Sequence, residues 1–396
     1  MKRRAGKRDS FYPGVADVKP ENRAQRAEGK SQRWMRSVLL SIFVLVLVPF
    51  SLTVLPELIQ LLVYTHRIRV PFFVDLSRPS DLSLNHTMNM YLTSEEGISL
   101  GVWHTVPESQ WKEAQGKDLA WYQNALNDRS PVFIYLHGNM GTRYHNCYIC
   151  IVLGSTPPDI FVPLLFVYLG GGTTVLALVL LMNCFNRAAT HRVGVAKVLS
   201  ALGYHVLVPD YRGFGDSTGE PTEAGLTTDA LYLFNWVKAH SGNSLVIIWG
   251  QSLGTGVATN TAVKLVEQGV VCDGVILEAT FSSTRQPVTV HPFSWYYWTL
   301  PGTGYFFPEP WAENKAVFPS EENLKKMKSP ILFLHSEDDP LTPIRFAQQM
   351  YEVAVSTQNA ERVKLVSFDS SLGYLHNGLY KDPHLPDIIK RFVMSL

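Results

Sequence analysis

Cysteine is scarce in this 396-residue chain: there are four, of which Cys147, Cys150 and Cys184 share one apolar segment and Cys272 stands alone. Outside that segment there is no disulfide framework and no metal-ligand spacing, so no metal and no cofactor are implied. Charge is sparse as well, at 17% Asp, Glu, Lys and Arg, and nearly balanced at +1. That balance hides an asymmetry. Residues 1–36 carry eleven Lys or Arg against four acidic residues, which leaves 24 basic and 30 acidic residues in the rest. The tail is therefore +7 and the body −6. An acidic body argues against nucleic acid as a partner, and the polar basic tail reads as unstructured. No internal repeat is evident, and a 46% hydrophobic content suits one large core with accessory segments.

Directly after the tail, residues 37–56 lack charge until Pro56 and have the length of a membrane-spanning helix, with Trp34 at the entrance. The basic stretch is long for a cleaved leader and no small-residue cleavage site follows, so the segment reads as a retained signal anchor. By the positive-inside rule the tail is expected in the cytoplasm and the remainder in a lumen or outside the cell. Asn85-His86-Thr87 is a glycosylation sequon on that side, with Asn85 as the acceptor.

The chemistry concentrates at Gly250-Gln251-Ser252-Leu253-Gly254, which lies between an apolar strand pattern and a helical one. A serine on a sharp strand-to-helix turn projects its hydroxyl above the sheet edge and demands tiny neighbours two positions away on either side. Ser252 is the expected nucleophile. The acid and then the histidine should follow it. Residues 330–335 form a further apolar run that ends in Glu337-Asp338-Asp339-Pro340. Asp339 is preferred because Pro340 stiffens the turn, with Glu337 or Asp338 as alternatives and a helix-capping role for Asp339 as the bland reading. Beyond that acid only His376 and His384 remain, and His376 in the loop Ser370–His376 is the expected general base. Two N–H groups should stabilise the oxyanion, that of Leu253 and that of Asn139, or alternatively Met140, after the strand over 131–136.

Strand signals over 88–92, 98–105, 131–136, 205–209, 244–249, 274–279, 330–335 and 363–368 alternate with helical patterns over 192–202, 226–240, 255–268, 345–355 and 386–393. The first two strands should form a hairpin and the others a parallel sheet, which gives a doubly wound α/β architecture. Residues 281–324 are too long for a simple connection and rich in aromatics, Trp295, Tyr296, Tyr297 and Trp298 among them, so a lid is expected there.

Taken with His137-Gly138-Asn139, Asp210-Tyr211-Arg212-Gly213-Phe214-Gly215-Asp216-Ser217 and Leu372-Gly373-Tyr374-Leu375-His376, these motifs resemble the α/β-hydrolase-domain (ABHD) family. Val70-Pro71-Phe72-Phe73-Val74-Asp75-Leu76 and Gly101-Val102-Trp103-His104-Thr105 are similar to its membrane-anchored lysophosphatidylserine lipase branch. The resemblance implies an α/β-hydrolase domain over 70–396 and an endoplasmic-reticulum serine hydrolase with a lumenal site. It also implies lysophosphatidylserine and, more weakly, monoacylglycerols as substrates, with Ser252, Asp339 and His376 as the triad. Gln251 stands where that family usually has His, and Met140 where it usually has Ala. Residues 144–190 depart further. Their apolar stretch over 160–182 could span a bilayer, yet a single crossing would divide the catalytic residues between two sides. The segment reads as aberrant, alternatively spliced or a gene-model error, with a membrane-dipping loop as the other reading.

Overall fold

A computed structural model describes residues 75–138, 189–281 and 318–396, together with Met35 and Val38. The chain divides into two compact units, residues 1–58 and 59–396, and the first lies almost wholly outside the described residues. The expected anchor over 37–56, Val38 excepted, and all but the edges of segments 144–190 and 281–324 also lie outside them. Among the described residues no helix is long and apolar enough to cross a membrane.

Eight strands form one sheet in the order β1-β2-β4-β3-β5-β6-β7-β8. β1 (Thr87–Glu95) and β2 (Ile98–Thr105) make an antiparallel hairpin, and β2 joins β4 (His205–Pro209) antiparallel. From β4 onward every pairing is parallel, through β3 (Val132–Leu136), β5 (Val246–Gln251), β6 (Gly274–Glu278), β7 (Ile331–Ser336) and β8 (Val363–Phe368). Two of the differences from the sequence reading have clear local causes. β5 continues two residues past Trp249 because Gly250 and Gln251 still pair with β6. An unexpected helix α1, Leu119–Ala125, forms because the Asp118 carboxylate caps it, accepting from Trp121 N–H at 2.9 Å.

Period-2 alternation sends each central strand to two cores. Val132, Ile134 and Leu136 of β3 face one apolar cluster, whereas Phe133 and Tyr135 face the other. The first cluster is covered by α3 (Glu223–His240), α4 (Leu253–Glu267), α5 (Ser320–Leu324) and α6 (Ile344–Thr357). The second is covered by α2 (Thr190–Ala201) and α7 (Leu385–Val393). α3 and α7 each present one apolar stripe, Leu226, Ala230, Leu233, Phe234 and Val237 on α3 and Leu385, Ile389, Phe392 and Val393 on α7. Helices on both faces leave the strand ends as the place for chemistry. The end of the expected lid segment belongs to this core: Phe318 is fully buried, and a side chain at Gly256 would run into its ring.

Backbone crowding is greatest where β5 turns into α4. A Cβ on Gly250 would strike the Gly254 carbonyl, and one on Gly254 would strike the Leu136 carbonyl. Because both obstacles are backbone, neither can swing aside. Gly254→Ala is expected to lower stability by about 1–3 kcal/mol through forced displacement of β3 from α4. Thermal unfolding at an unchanged Tm would show that this crossing has slack.

Candidate active site

Ser252 sits at the turn from β5 into α4 with φ 52° and ψ −119°, a conformation costly for a residue with a side chain. Bonds on both sides hold it there. Ser252 N–H donates to the Glu278 carbonyl at 2.9 Å, and the Ser252 carbonyl accepts from Thr255 N–H at 2.8 Å and Thr255 Oγ1 at 2.7 Å. Ser252 remains partly exposed while almost everything around it is buried. The next residue, Leu253, opens α4, so its N–H belongs to the first turn, which has no intrahelical acceptor. Asn139 and Met140 lie outside the described residues. The loop that leads to them is in place, because a Cβ on Gly138 would lie 2.8 Å from Ser252 Cβ.

Asp339 and His376 are joined at 2.7 Å, from Nδ1 to Oδ2. The acid is tightly fixed. Asp339 Oδ1 accepts from the N–H groups of Leu341 and Thr342 at 2.8 and 3.0 Å, and Oδ2 also accepts from Thr342 Oγ1 at 2.6 Å. Burial works to raise the Asp339 pKa, but the His376 charge and hydrogen bond, with His335 and Thr342, bring it down to about 2. An ionised carboxylate only accepts, so His376 Nδ1 carries the proton and Nε2 keeps its lone pair. Burial also works against a charged His376, and the Asp339 charge and hydrogen bond, aided by Glu278, hold its pKa above the ordinary value.

The alternatives occupy other roles. Asp338 Oδ1 accepts from Leu375 N–H at 3.0 Å and from Ser336 Oγ at 2.5 Å, so it braces the histidine loop rather than the imidazole. That loop needs bracing, since Leu375 has φ 52°. His384 is exposed at the start of α7, with its N–H on Asp382. Asn85 is exposed in a turn before β1, as an acceptor for a glycan must be.

Several residues of the site were invisible as such in sequence. Glu278 ends the apolar run of β6 and is buried, with Trp249 Nε1 donating to its Oε2 at 2.9 Å. Burial pushes it up to about 7 against that hydrogen bond and the His376 charge. Arg192 on α2 is fully buried and donates from Nη2 to the Gly138 carbonyl at 2.8 Å. Gln251 bridges Gly138 to the histidine loop. The motif Asp210–Ser217 is a brace: Tyr211 Oη donates to the His137 carbonyl at 3.1 Å, and the Tyr211 and Phe214 rings pack on the His137 ring. Arg212 ties it to α3 and β1 through Asp229 and Glu95, both at 2.7 Å. Gln251 and the Asp210–Ser217 motif stood out in sequence without their contacts, whereas the one signal for Glu278 was a polar residue closing an apolar run, and Arg192 had none.

The electrostatics carry two predictions. Asp339→Asn should leave the fold intact and lower kcat by about 10³–10⁴, through loss of the anion that holds Nδ1–H. In the unaltered chain kcat/KM should rise with pH through an apparent pKa above 6.5, because His376 must be neutral to accept a proton and its neighbours favour the charged form. Removing the Glu278 charge removes part of that preference, so Glu278→Gln should move this limb to lower pH while the amide oxygen still accepts from Trp249. A limb that stays in place would show that Glu278 does not act on the base.

The α/β hydrolase fold family profile matches residues 166–302. An alpha-beta hydrolase from Vibrio vulnificus has a TM-score of 0.55 at 17% identity, covering 86% of this chain and 94% of its own. An esterase from Pyrococcus furiosus has a TM-score of 0.51 at 17% identity over 83% of this chain and 95% of its own, and both share the fold. Among curated proteins, lysophosphatidylserine lipase ABHD12 of Danio rerio is 40% identical over 97% of this chain and 89% of its own length. The Bos taurus protein of that name is 39% identical over 96% and 85%, and human protein ABHD12B is 40% identical over 85% and 80%. With the strained serine elbow and the Asp–His pair on one sheet edge, these likenesses lead to one conclusion: the chain belongs to the α/β-hydrolase family of serine hydrolases, alongside the ABHD12 proteins.

Proposed function

We propose that this chain hydrolyses the single acyl ester of a lysophospholipid, with lysophosphatidylserine as the first candidate. The observation that carries the reaction class is the 2.7 Å His376–Asp339 pair on the sheet edge where Ser252 occupies its strained turn. The head group rests on the likeness to the lysophosphatidylserine lipases ABHD12 of Danio rerio and Bos taurus, about 40% identical over most of their length.

In this reading Ser252 Oγ attacks the acyl carbonyl as His376 Nε2 takes its proton, and Asp339 stabilises the imidazolium. The Leu253 N–H and the backbone N–H of Asn139 receive the oxyanion. His376 then protonates the departing glycerol oxygen and leaves an acyl-enzyme. A water molecule, deprotonated by His376, attacks the acyl carbon and releases the fatty acid with Ser252 restored. Capture of the acyl group by an alcohol instead of water would make an acyltransferase, and an uncharged glycerol ester would make a monoacylglycerol lipase. If the 144–190 segment disabled the oxyanion loop, the chain would be a non-catalytic lipid- or partner-binding membrane protein. The apolar stretch over 37–56 and the basic tail support a single-pass anchor with cytoplasmic N-terminus and a lumenal domain, and the family resemblance supports the endoplasmic reticulum as its membrane.

One further contact bears on the segment between β3 and α2. Gly138 and Arg192 lie on either side of residues 139–188 and hydrogen-bond to each other, so the two flanks meet without that stretch. Deletion of residues 144–190 is accordingly expected to leave the domain folded, with unchanged or increased reactivity.

The test is fluorophosphonate labelling of the full chain in membranes, with Ser252→Ala as control, followed by fatty-acid release from lysophosphatidylserine and from monoacylglycerol. Labelling lost in Ser252→Ala, with faster release from lysophosphatidylserine, is the expected result. Labelling that persists in the mutant would overturn the assignment of Ser252, and equal release from both lipids would overturn the head-group preference. Labelling seen only after deletion would show that residues 144–190 silence the hydrolase.

A further inference from the structure

Gln251 precedes the nucleophile and its side chain is fully buried, a position where an unpaired amide would be costly. Each end of that amide has a partner on a different loop. Oε1 accepts from Gly138 N–H at 3.1 Å. Nε2 donates to Asn377 Oδ1 at 2.9 Å and to the His376 carbonyl at 3.4 Å. The orientation is dictated by these groups, because a backbone N–H only donates and a backbone carbonyl only accepts. Gly138 has its other polar group held too, since Arg192 Nη2 donates to its carbonyl at 2.8 Å. Gly138 thus reaches the serine turn with both N–H and C=O anchored.

The two loops come from distant parts of the chain. One leaves β3 toward the expected oxyanion donor and the other leaves β8 carrying the general base. Neither pairs with the other through a strand ladder, for β3 and β8 are separated by β5, β6 and β7. We propose that Gln251 is a positioning residue for hydrolysis: its amide couples the Gly138 loop to the His376–Asn377 loop and so fixes the spacing between oxyanion pocket and general base around Ser252. This rests on the reading of Ser252, Asp339 and His376 as the triad. Gln251 touches no reacting atom, so the coupling should act on the transition state, where both loops are used at once, and little on substrate binding.

The experiment measures kcat and KM for a p-nitrophenyl ester and the rate of fluorophosphonate labelling in the full membrane-expressed chain. The variants are Gln251→Leu, Gln251→His, Asn377→Ala and the Gln251→Leu/Asn377→Ala pair. Labelling of the unaltered chain that is absent in Ser252→Ala establishes Ser252 as the nucleophile, and loss of kcat in Asp339→Asn and His376→Ala establishes its partners, so failure of that reading is distinguishable from failure of this one. Gln251→Leu, which keeps bulk but neither hydrogen bond, is expected to lower kcat by about ten- to a hundredfold with KM within about twofold. Neutral histidine offers one donor and one acceptor, so Gln251→His should recover most of kcat. Its protonated form cannot accept from Gly138 N–H, and the acid limb of kcat should steepen from first toward second order in protons. Asn377→Ala, at a half-buried position, should lower kcat several-fold, and Gln251→Leu should cost less on that background. Independent, multiplicative losses would overturn the coupling. So would unchanged kcat in Gln251→Leu, a loss confined to KM, or a folded Gln251→His with no recovery.

Discussion

Three pieces of backbone converge at Ser252, and the rest of the site depends on how closely they approach. The β5–α4 turn, the end of β3 and the end of β6 meet there. The contact is possible only because Gly250, Gly254 and Gly138 carry no Cβ, which would strike Gly254, Leu136 and Ser252 respectively. The geometry that exposes Ser252 also places Leu253 N–H at a helix start and brings Gly138 against Ser252 Cβ. A strained φ of 52° at Ser252 persists because its own N–H and C=O are both bonded, to β6 and to Thr255. Nucleophile exposure and oxyanion geometry are therefore consequences of one packing constraint.

Charge is divided with similar economy. Two buried carboxylates lie near one imidazole, and their surroundings separate them. Asp339 receives two backbone N–H groups, a threonine hydroxyl and the His376 Nδ1–H, and stays ionised. Glu278 is pushed up to about 7 by burial, which outweighs the indole N–H and the His376 charge set against it. One acid is a fixed anion and the other titrates in the range where the base itself works. Asp338, adjacent to Asp339 in sequence, turns to the Leu375 N–H instead.

Much of this architecture was legible in the residues themselves. The inner strands β3, β4, β5 and β7 fall on apolar runs, because a strand buried on both faces rarely carries charge within it. The edge strands β1 and β8 instead carry Glu95 and Lys364 on exposed positions. Hairpin and parallel strands separated cleanly for a related reason: only the first two runs are joined by a connection too short for a crossover helix. The elbow was legible through its bracketing glycines, and the preference for His376 over His384 through its place in a loop after a strand. What escaped were residues whose roles come from contacts across the sheet. Arg192 looked like an ordinary helical arginine, Glu278 like the polar end of a strand, and Gln251 like a substitution beside the nucleophile.

Local pattern thus determined the elements, the strained serine, the order of serine, acid and histidine, and the class of chemistry, because periodicity, glycine placement and chain order are properties of neighbouring residues. Tertiary structure alone decided which of three adjacent carboxylates faces the imidazole, and it set the opposite pKa shifts of Asp339 and Glu278. It also linked the loops after β3 and β8 through Gln251, and brought Gly138 and Arg192 together from either side of a long intervening segment. Those outcomes depend on distance and burial between residues up to 126 positions apart, and no local pattern encodes a distance of that kind.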